Sequence, residues 1–261
     1  MDAAKELALL DWIDNELFGT PTGIDIAKHA PELTLDDAYR LRVKLLARRV
    51  AKGDVHVGYK IAGGGSGIRV AGAEAPSPTV GPLMRSGLVY PPDTYAFAGS
   101  PIVVVEAEIA VMLKKDLMGP GLTQREVMAA VEGYLPAIEI VPQSGGPRAS
   151  PQARALATKF NGGFVFGNPL SSPHGIDLAM EAALMSVNGE PKAAGTGMNI
   201  MGNPLNAVAE VANMMAKYGE GLKAGMVIMT GTVTGLTPVK PGDCIEASFT
   251  RLGRATARFV A

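Results

Sequence analysis

Val-Val-Val-Glu-Ala-Glu-Ile-Ala-Val-Met, residues 103–112, is apolar, rich in β-branched side chains and free of Gly and Pro. It reads as a buried strand, which places a β-sheet at the centre of the fold. Side chains two apart on a strand share a face. Glu106 and Glu108 therefore project together, alongside Val104, Ala110 and Met112. A third acid, Glu139, sits in the middle of Ala137-Ile-Glu-Ile-Val141, a second strand-like run. Two readings stand. The acids belong to the solvated face of a half-buried sheet, or they are buried together and need compensation. Three carboxylates within about 5 Å repel by roughly 3 kcal/mol per pair at an effective dielectric near 20. A divalent cation relieves that repulsion, and all-oxygen ligation suits Mg²⁺ or Mn²⁺.

Working outward, the chain of 261 residues is long enough for a large domain with a small appendage. Hydrophobic residues make up 47% and charged residues 19%, which allows a sizeable core. The net charge of −1 and the lack of a basic run argue against a nucleic-acid partner. The 32 glycines and 19 prolines imply many turns, as in a β-rich fold. The single cysteine, Cys244, excludes an intrachain disulfide and reads as a packing residue at a strand start. No apolar stretch has the length of a membrane span, and the acidic start does not resemble a signal peptide. A cytoplasmic protein is expected.

Residues 3–18 carry Leu10, Ile13 and Leu17 at helical spacing. Thr34 and Asp37 mark a second helix start, with Ala38, Leu41 and Leu45 on one face and Gly53 closing it. The expected organisation is a helical region over 1–54 and a β-rich catalytic domain over 55–261. Within the latter, residues 55–61 read as a strand entering the glycine run 63–67. The proline-studded stretch 76–92 reads as irregular. Thr123 and Glu126 form a capping box opening a helix through about Tyr134. Asn188-Gly189 marks a hairpin turn. Asn203 caps a helix with Pro204 at its first position and Leu205, Val208, Val211, Ala212 and Met215 buried. The tail, 226–260, reads as strands.

Common chemistry can be set aside. The chain has no P-loop, no dinucleotide glycine fingerprint, no Gly-x-Ser-x-Gly elbow and no closely spaced histidine pair. His29 reads as a surface residue. Lys60, at the end of the 55–61 strand, shares a face with His56 and Gly58 on strict alternation. It reads either as a solvated strand end or as a group that binds a carboxylate or moves a proton. The stretch 230–235, Thr-Gly-Thr-Val-Thr-Gly, offers N–H groups and hydroxyls to an anionic oxygen, or is plain strand and turn.

The segments Val105-Glu-Ala-Glu-Ile-Ala110, Leu117-Met-Gly-Pro-Gly-Leu-Thr123 and Pro136-Ala-Ile-Glu-Ile-Val141 carry a resemblance. So do Gly58-Tyr-Lys-Ile61, Gly195-Thr-Gly197, Gly202-Asn-Pro-Leu205, Thr230–Gly235 and Pro241-Gly-Asp243. Together the chain resembles the 2-oxopent-4-enoate hydratase and 4-oxalocrotonate decarboxylase family of the fumarylacetoacetate hydrolase superfamily. The resemblance implies an α+β fold with a mixed β-sandwich or roll core and a small N-terminal helical region. It implies Mg²⁺ or Mn²⁺ held by Glu106, Glu108 and Glu139, with Lys60 as the catalytic residue. Lys60, Ser66, Arg69, Thr234 and Gly235 are the expected substrate contacts. The implied activity is a lyase reaction on a 2-oxo or 2-hydroxy dienoate in aromatic-compound catabolism, foremost hydration. Alternatives are 4-oxalocrotonate-type decarboxylation, acylpyruvate-type C–C hydrolysis using His56 as base, and a non-catalytic metal-binding subunit of a lyase complex. The expected partners are a small 2-oxo acid, other copies of the chain and a partner enzyme of the pathway, with no nucleic acid and no membrane. Four stretches depart from the family pattern: 62–66, 75–81, 142–150 and 159–163. Arg148 joins Arg69 as a loop arginine able to receive a distal carboxylate.

Overall fold

The computed structural model describes residues 3–18, 26–63, 78–91, 93–97, 102–143, 150–157 and 162–261. In chain order the elements are α1 (Ala3–Phe18), α2 (Ile26–His29), α3 (Leu35–Ala51), β1 (His56–Ala62), β2 (Thr79–Met84), β3 (Thr94–Ala96) and β4 (Ile102–Leu113). Then follow α4 (Gln124–Ala130), β5 (Val131–Gln143), α5 (Pro151–Ala157), β6 (Gly163–Phe166), β7 (Ala182–Val187) and β8 (Glu190–Thr196). The chain ends with α6 (Pro204–Ala216), β9 (Val227–Thr232), β10 (Thr237–Val239), β11 (Cys244–Phe249) and β12 (Gly253–Val260).

The larger sheet runs β2-β1-β9-β4-β5-β6, with β10 also on β4. Its strands are mostly antiparallel, with β1 parallel to β9. The alternation of β4 and β5 sorts side chains onto two faces. Val103, Val105, Ile109 and Val111 join Ile138 and Ile140 in the main core. That core is completed by the smaller sheet, β3-β12-β11-β7-β8, and by the buried sides of α1, α3 and α6. The opposite face holds a second cluster: Leu83 of β2, Ala110 of β4, Leu135 and Ala137 of β5, Phe164 of β6, and Val227 and Met229 of β9. Leu83 and Phe164 come from the two ends of the sheet order, so the sheet must curl around this cluster. The chain after β2 completes the curl: Leu88 bridges Phe164, and the Val89 N–H donates to the Phe164 carbonyl at 2.9 Å. The result is a mixed roll with an apolar interior, packed against a second sheet and helices.

Local chemistry explains most boundaries. Thr34 and Asp37 exchange hydrogen bonds at the start of α3. Glu126 reaches back to the Thr123 N–H and hydroxyl at 2.8 Å each. Asn188 (φ 53°) and Gly189 (φ 83°) form the left-handed pair that joins β7 to β8. The predicted stripe of α6 is buried throughout. Helix α3 is held to the roll by Tyr39, whose hydroxyl accepts from the Val80 N–H of β2. Ion pairs Glu6–Lys44, Asp11–Arg48 and Asp14–Lys52 tie α1 alongside α3.

Four expectations are corrected. The helix after Thr123 stops at Ala130, not near Tyr134, because Val131 turns extended (φ −76°, ψ 131°) and opens the long strand β5. Part of the stretch read as irregular is strand β2, which tolerates Pro82 because an edge strand needs no second ladder of donors. Cys244 is exposed, since it opens β11 on the outward side of its alternation. His56 does not share the Lys60 face. The β1–β2 register shifts between His56 and Gly58, and the His56 ring meets Tyr59 edge-on at 4.6 Å. Tyr59 and Lys60 are neighbours on a strand and point to opposite faces. The side chain of Leu17, named for the first helix, lies outside the described residues.

Gly58 is the closest approach in the site-bearing part of the sheet. A Cβ there would sit 1.8 Å from the Val227 carbonyl oxygen, at φ +157°. Gly58→Ala is expected to destabilise by about 4 kcal/mol or more, because β1 must leave β9. Gly53→Ala, with φ +96° and open space around it, should cost only about 1 kcal/mol. Urea unfolding of the two variants distinguishes them.

Candidate metal centre

The acids lie on the inner face of the roll, beyond the apolar cluster. Glu106 of β4 stands directly opposite Glu139 of β5, and Glu108 opposite Ala137. Like charges placed opposite one another across strands are destabilising. One carboxylate oxygen from each of Glu106, Glu108 and Glu139 lies within 4.8 Å of the others. Glu108 and Glu139 are buried, and Glu106 is half-buried. The solvated-face reading is therefore wrong for this face.

Three features of the chain answer the negative charge. Lys60, only 1% exposed, donates from Nζ to Glu139 Oε1 at 2.9 Å. The Gly231 N–H donates to Glu108 Oε2 at 2.8 Å. Gly231 has φ +103°, a conformation that L side chains rarely adopt. The Thr230 hydroxyl is turned away, donating to the Ile109 carbonyl at 2.7 Å. These do not satisfy the site: Glu108 Oε1 is buried without a hydrogen-bond partner. Burial, then the charges of Glu139 and Glu106, push Glu108 well above the usual carboxylate range, against the opposing pull of Lys60 and Gly231. Burial works against a charged Lys60, but the charge and hydrogen bond of Glu139, with Glu108 and Glu106, outweigh it and raise its pKa. An orphaned buried oxygen among three hard carboxylates fits a small divalent cation.

A small cavity of about 50 Å³ opens beside Glu106. It is lined by Ile61, Ala62 and Gly63 at the end of β1, by Thr230, Gly231 and Thr232 of β9, and by Ile200. Of the expected substrate contacts, Lys60 joins the acid cluster through Glu139 but does not line the cavity. Thr234 and Gly235 lie further along, in the turn where the Gly235 N–H donates to the Thr232 hydroxyl at 2.8 Å. Ser66, Arg69 and Arg148 lie outside the described residues. Sequence reasoning missed Ile200 and Thr232. Ile200 precedes Gly202-Asn-Pro-Leu205, a motif that reads as a helix cap and as part of the family resemblance, not as a cavity wall. Thr232 stands in the 230–235 stretch whose last two residues were chosen instead.

His56 is placed away from the acids. Its Nε2 meets the Gly58 carbonyl at 2.8 Å, on the Tyr59 side of β1. The proposed hydrolytic base is therefore not at the site.

Comparison with known proteins bears on the same residues. The fumarylacetoacetate (FAA) hydrolase C-terminal family matches residues 71–260. The 2-hydroxyhexa-2,4-dienoate hydratase of Comamonas testosteroni is 32% identical over 243 residues, 88% of each chain. A 4-oxalocrotonate decarboxylase of Pseudomonas putida is 32% identical, covering 100% of this chain and 98% of its own. The structure of 4-oxalocrotonate decarboxylase from Pseudomonas putida G7, complexed with magnesium and adipate, superposes with a TM-score of 0.87. That match has 29% identity and covers 100% of this chain and 99% of the other.

Two predictions follow from the geometry. Replacing Glu108 with Gln is expected to weaken Mg²⁺ or Mn²⁺ binding at least about tenfold, since one charged ligand of three is lost; calorimetric titration measures it, and unchanged affinity would count against the site. Burial lowers His56 from 6.5 to about 4. Its folded value lies below its unfolded value. Its contribution is therefore fully present above pH 6.5 and is lost as pH falls through about 4. His56→Gln, which cannot take the proton, should show a shallower fall in stability across that window in pH-dependent urea unfolding.

Proposed function

This chain belongs to the fumarylacetoacetate hydrolase family, and from that premise we propose that it is a divalent-metal lyase acting on a 2-oxo or 2-hydroxy dienoate. The preferred activity is hydration of a 2-hydroxy-2,4-dienoate to a 4-hydroxy-2-oxo acid, in aromatic-compound catabolism. The observation that supports this best is the three-carboxylate cluster, with Glu106 at the wall of a small cavity, Glu108 and Glu139 buried behind it, and Lys60 paired with Glu139.

Glu106, Glu108 and Glu139 are the proposed ligands of Mg²⁺ or Mn²⁺. Bound there, the cation supplies Lewis acidity to the carboxylate and 2-oxo oxygens of the substrate. Three carboxylates, one lysine and a divalent cation sum to zero charge, the condition under which such a cluster is tolerated away from water. Lys60 donates from Nζ to Glu139 and is only 1% exposed, so bulk water does not replace it. It is the group proposed to meet the substrate carboxylate or to move a proton to and from the reacting chain. Gly231 holds Glu108 in place through its N–H. Ile61, Ala62 and Ile200 form the apolar part of the cavity and keep water from the carbon chain.

Decarboxylation of a 2-oxo-3-enedioate is the second reading. It is favoured by the end-to-end match to 4-oxalocrotonate decarboxylases. The two reactions separate on substrate. With Mg²⁺ present, 2-hydroxypenta-2,4-dienoate should lose its ultraviolet absorbance without CO₂ release. CO₂ release from 2-oxohex-3-enedioate at a higher kcat/KM would favour decarboxylation instead. Lys60→Ala is expected to lower turnover by on the order of 100-fold or more while still binding Mg²⁺. Turnover equal to wild type would remove Lys60 from the mechanism.

A further inference from the structure

Ile200 stands between two tethers. On one side, Asn199 donates from Nδ2 to the Val233 carbonyl at 2.9 Å, tying this turn to the residue after Thr232. On the other, Met201 adopts a left-handed conformation at φ 49°. This is uncommon for a residue with a long side chain. The Met201 carbonyl is held by Asn206 Nδ2 at 3.0 Å, and Gly202 follows at φ 78°. The turn thus accepts backbone strain immediately after Ile200, as folds do where a side chain must be held in one place. Ile200 itself is 1% exposed and lines the cavity beside Glu106.

The described walls of that cavity divide by chemistry. Glu106 and Thr232 stand for the polar part, and Ile61, Ala62 and Ile200 for the apolar part. At about 50 Å³ the space corresponds to only about four ordered waters, or a chain of a few heavy atoms. A second carboxylate in this space would lose its hydration against aliphatic side chains that cannot hydrogen-bond it. It would also lie near the negative charge of Glu106. No Lys or Arg is among the described residues that line the cavity, and the buried Lys60 is already engaged by Glu139.

We propose that Ile200 is the specificity-determining residue of this site, selecting 2-oxo acids with a short apolar chain over those that end in a second carboxylate. This rests on the reading of the acid cluster as a metal and 2-oxo acid site, and it names the substrate class. It separates this chain from the Pseudomonas putida G7 decarboxylase, which is complexed with the dicarboxylate adipate. The Asn199 and Asn206 hydrogen bonds hold the backbone of the turn on both sides of Ile200 and so keep this residue at the cavity wall.

The test is calorimetric binding of two unreactive probes, 2-oxopentanoate and 2-oxohexanedioate, to the Mg²⁺-loaded protein. Wild type is expected to bind the monocarboxylate at least about tenfold more tightly, the scale of discrimination by an apolar pocket. Ile200→Lys should reduce or invert that ratio by about tenfold or more, with both probes titrated at saturating Mg²⁺. Ile200→Val should keep the ratio. Circular dichroism checks that the Lys variant folds; if it does not, Ile200→Ala is used, and it should lose discrimination between 2-oxopentanoate and the longer 2-oxoheptanoate. Equal or tighter binding of 2-oxohexanedioate by wild type would overturn the proposal. So would a ratio or chain-length preference unmoved in folded Ile200 variants that still bind Mg²⁺. Failure of wild type to bind Mg²⁺ at all would instead refute the metal-site reading, and the proposal would fall with it.

Discussion

Glu106 faces Glu139 across adjacent antiparallel strands, inside a rolled sheet, with Glu108 beside them. The rest of the site is arranged around that repulsion. At the observed separations, below 4.8 Å, each pair of charges costs roughly 3 kcal/mol at an effective dielectric near 20. Such an arrangement persists only if it is compensated. Lys60 supplies one positive charge from β1, and Gly231 supplies an N–H from β9. The buried Glu108 Oε1 remains without a hydrogen bond. A divalent cation bound there would complete the balance, and this is the physical reason for proposing the chemistry here.

The fold brings these groups together through strand order. Lys60, Gly231, Glu108 and Glu139 lie far apart in the chain, but β1, β9, β4 and β5 are consecutive in the sheet. Close contact between β1 and β9 depends on Gly58, which has no room for a side chain against Val227. The inner face would be an open apolar surface if the sheet were flat. Closure of Leu88 and Val89 onto Phe164 turns it into the interior of a roll, with the acids at one end. Burial of the acids follows from that curvature.

Much of this was legible in the chain because it follows from local rules. The alternation around Glu106 and Glu108, the two Thr-led helix starts, Asn188-Gly189 and the α6 stripe each depend on neighbours within a few residues. The parts that were not legible depend on distant partners. Strand β2 contains Pro82 and looks irregular until its edge position is known. His56 appeared to share the Lys60 face, and a shift in register against β2 moved it to the other. Cys244 looked like a buried strand residue, but which face of β11 is outward depends on β7 and β12. Ile200 carries no signal of its own; only the cavity reveals it. The pairing of Lys60 with Glu139 also spans 79 residues, and no spacing rule connects them.

One divalent cation is proposed to sit among Glu106, Glu108 and Glu139. Anomalous diffraction from crystals soaked in Mn²⁺ tests it most directly. A single strong anomalous peak is expected within coordination distance of all three carboxylates, at about 2.0–2.6 Å. A peak elsewhere, or no peak between the acids at saturating Mn²⁺, would contradict it.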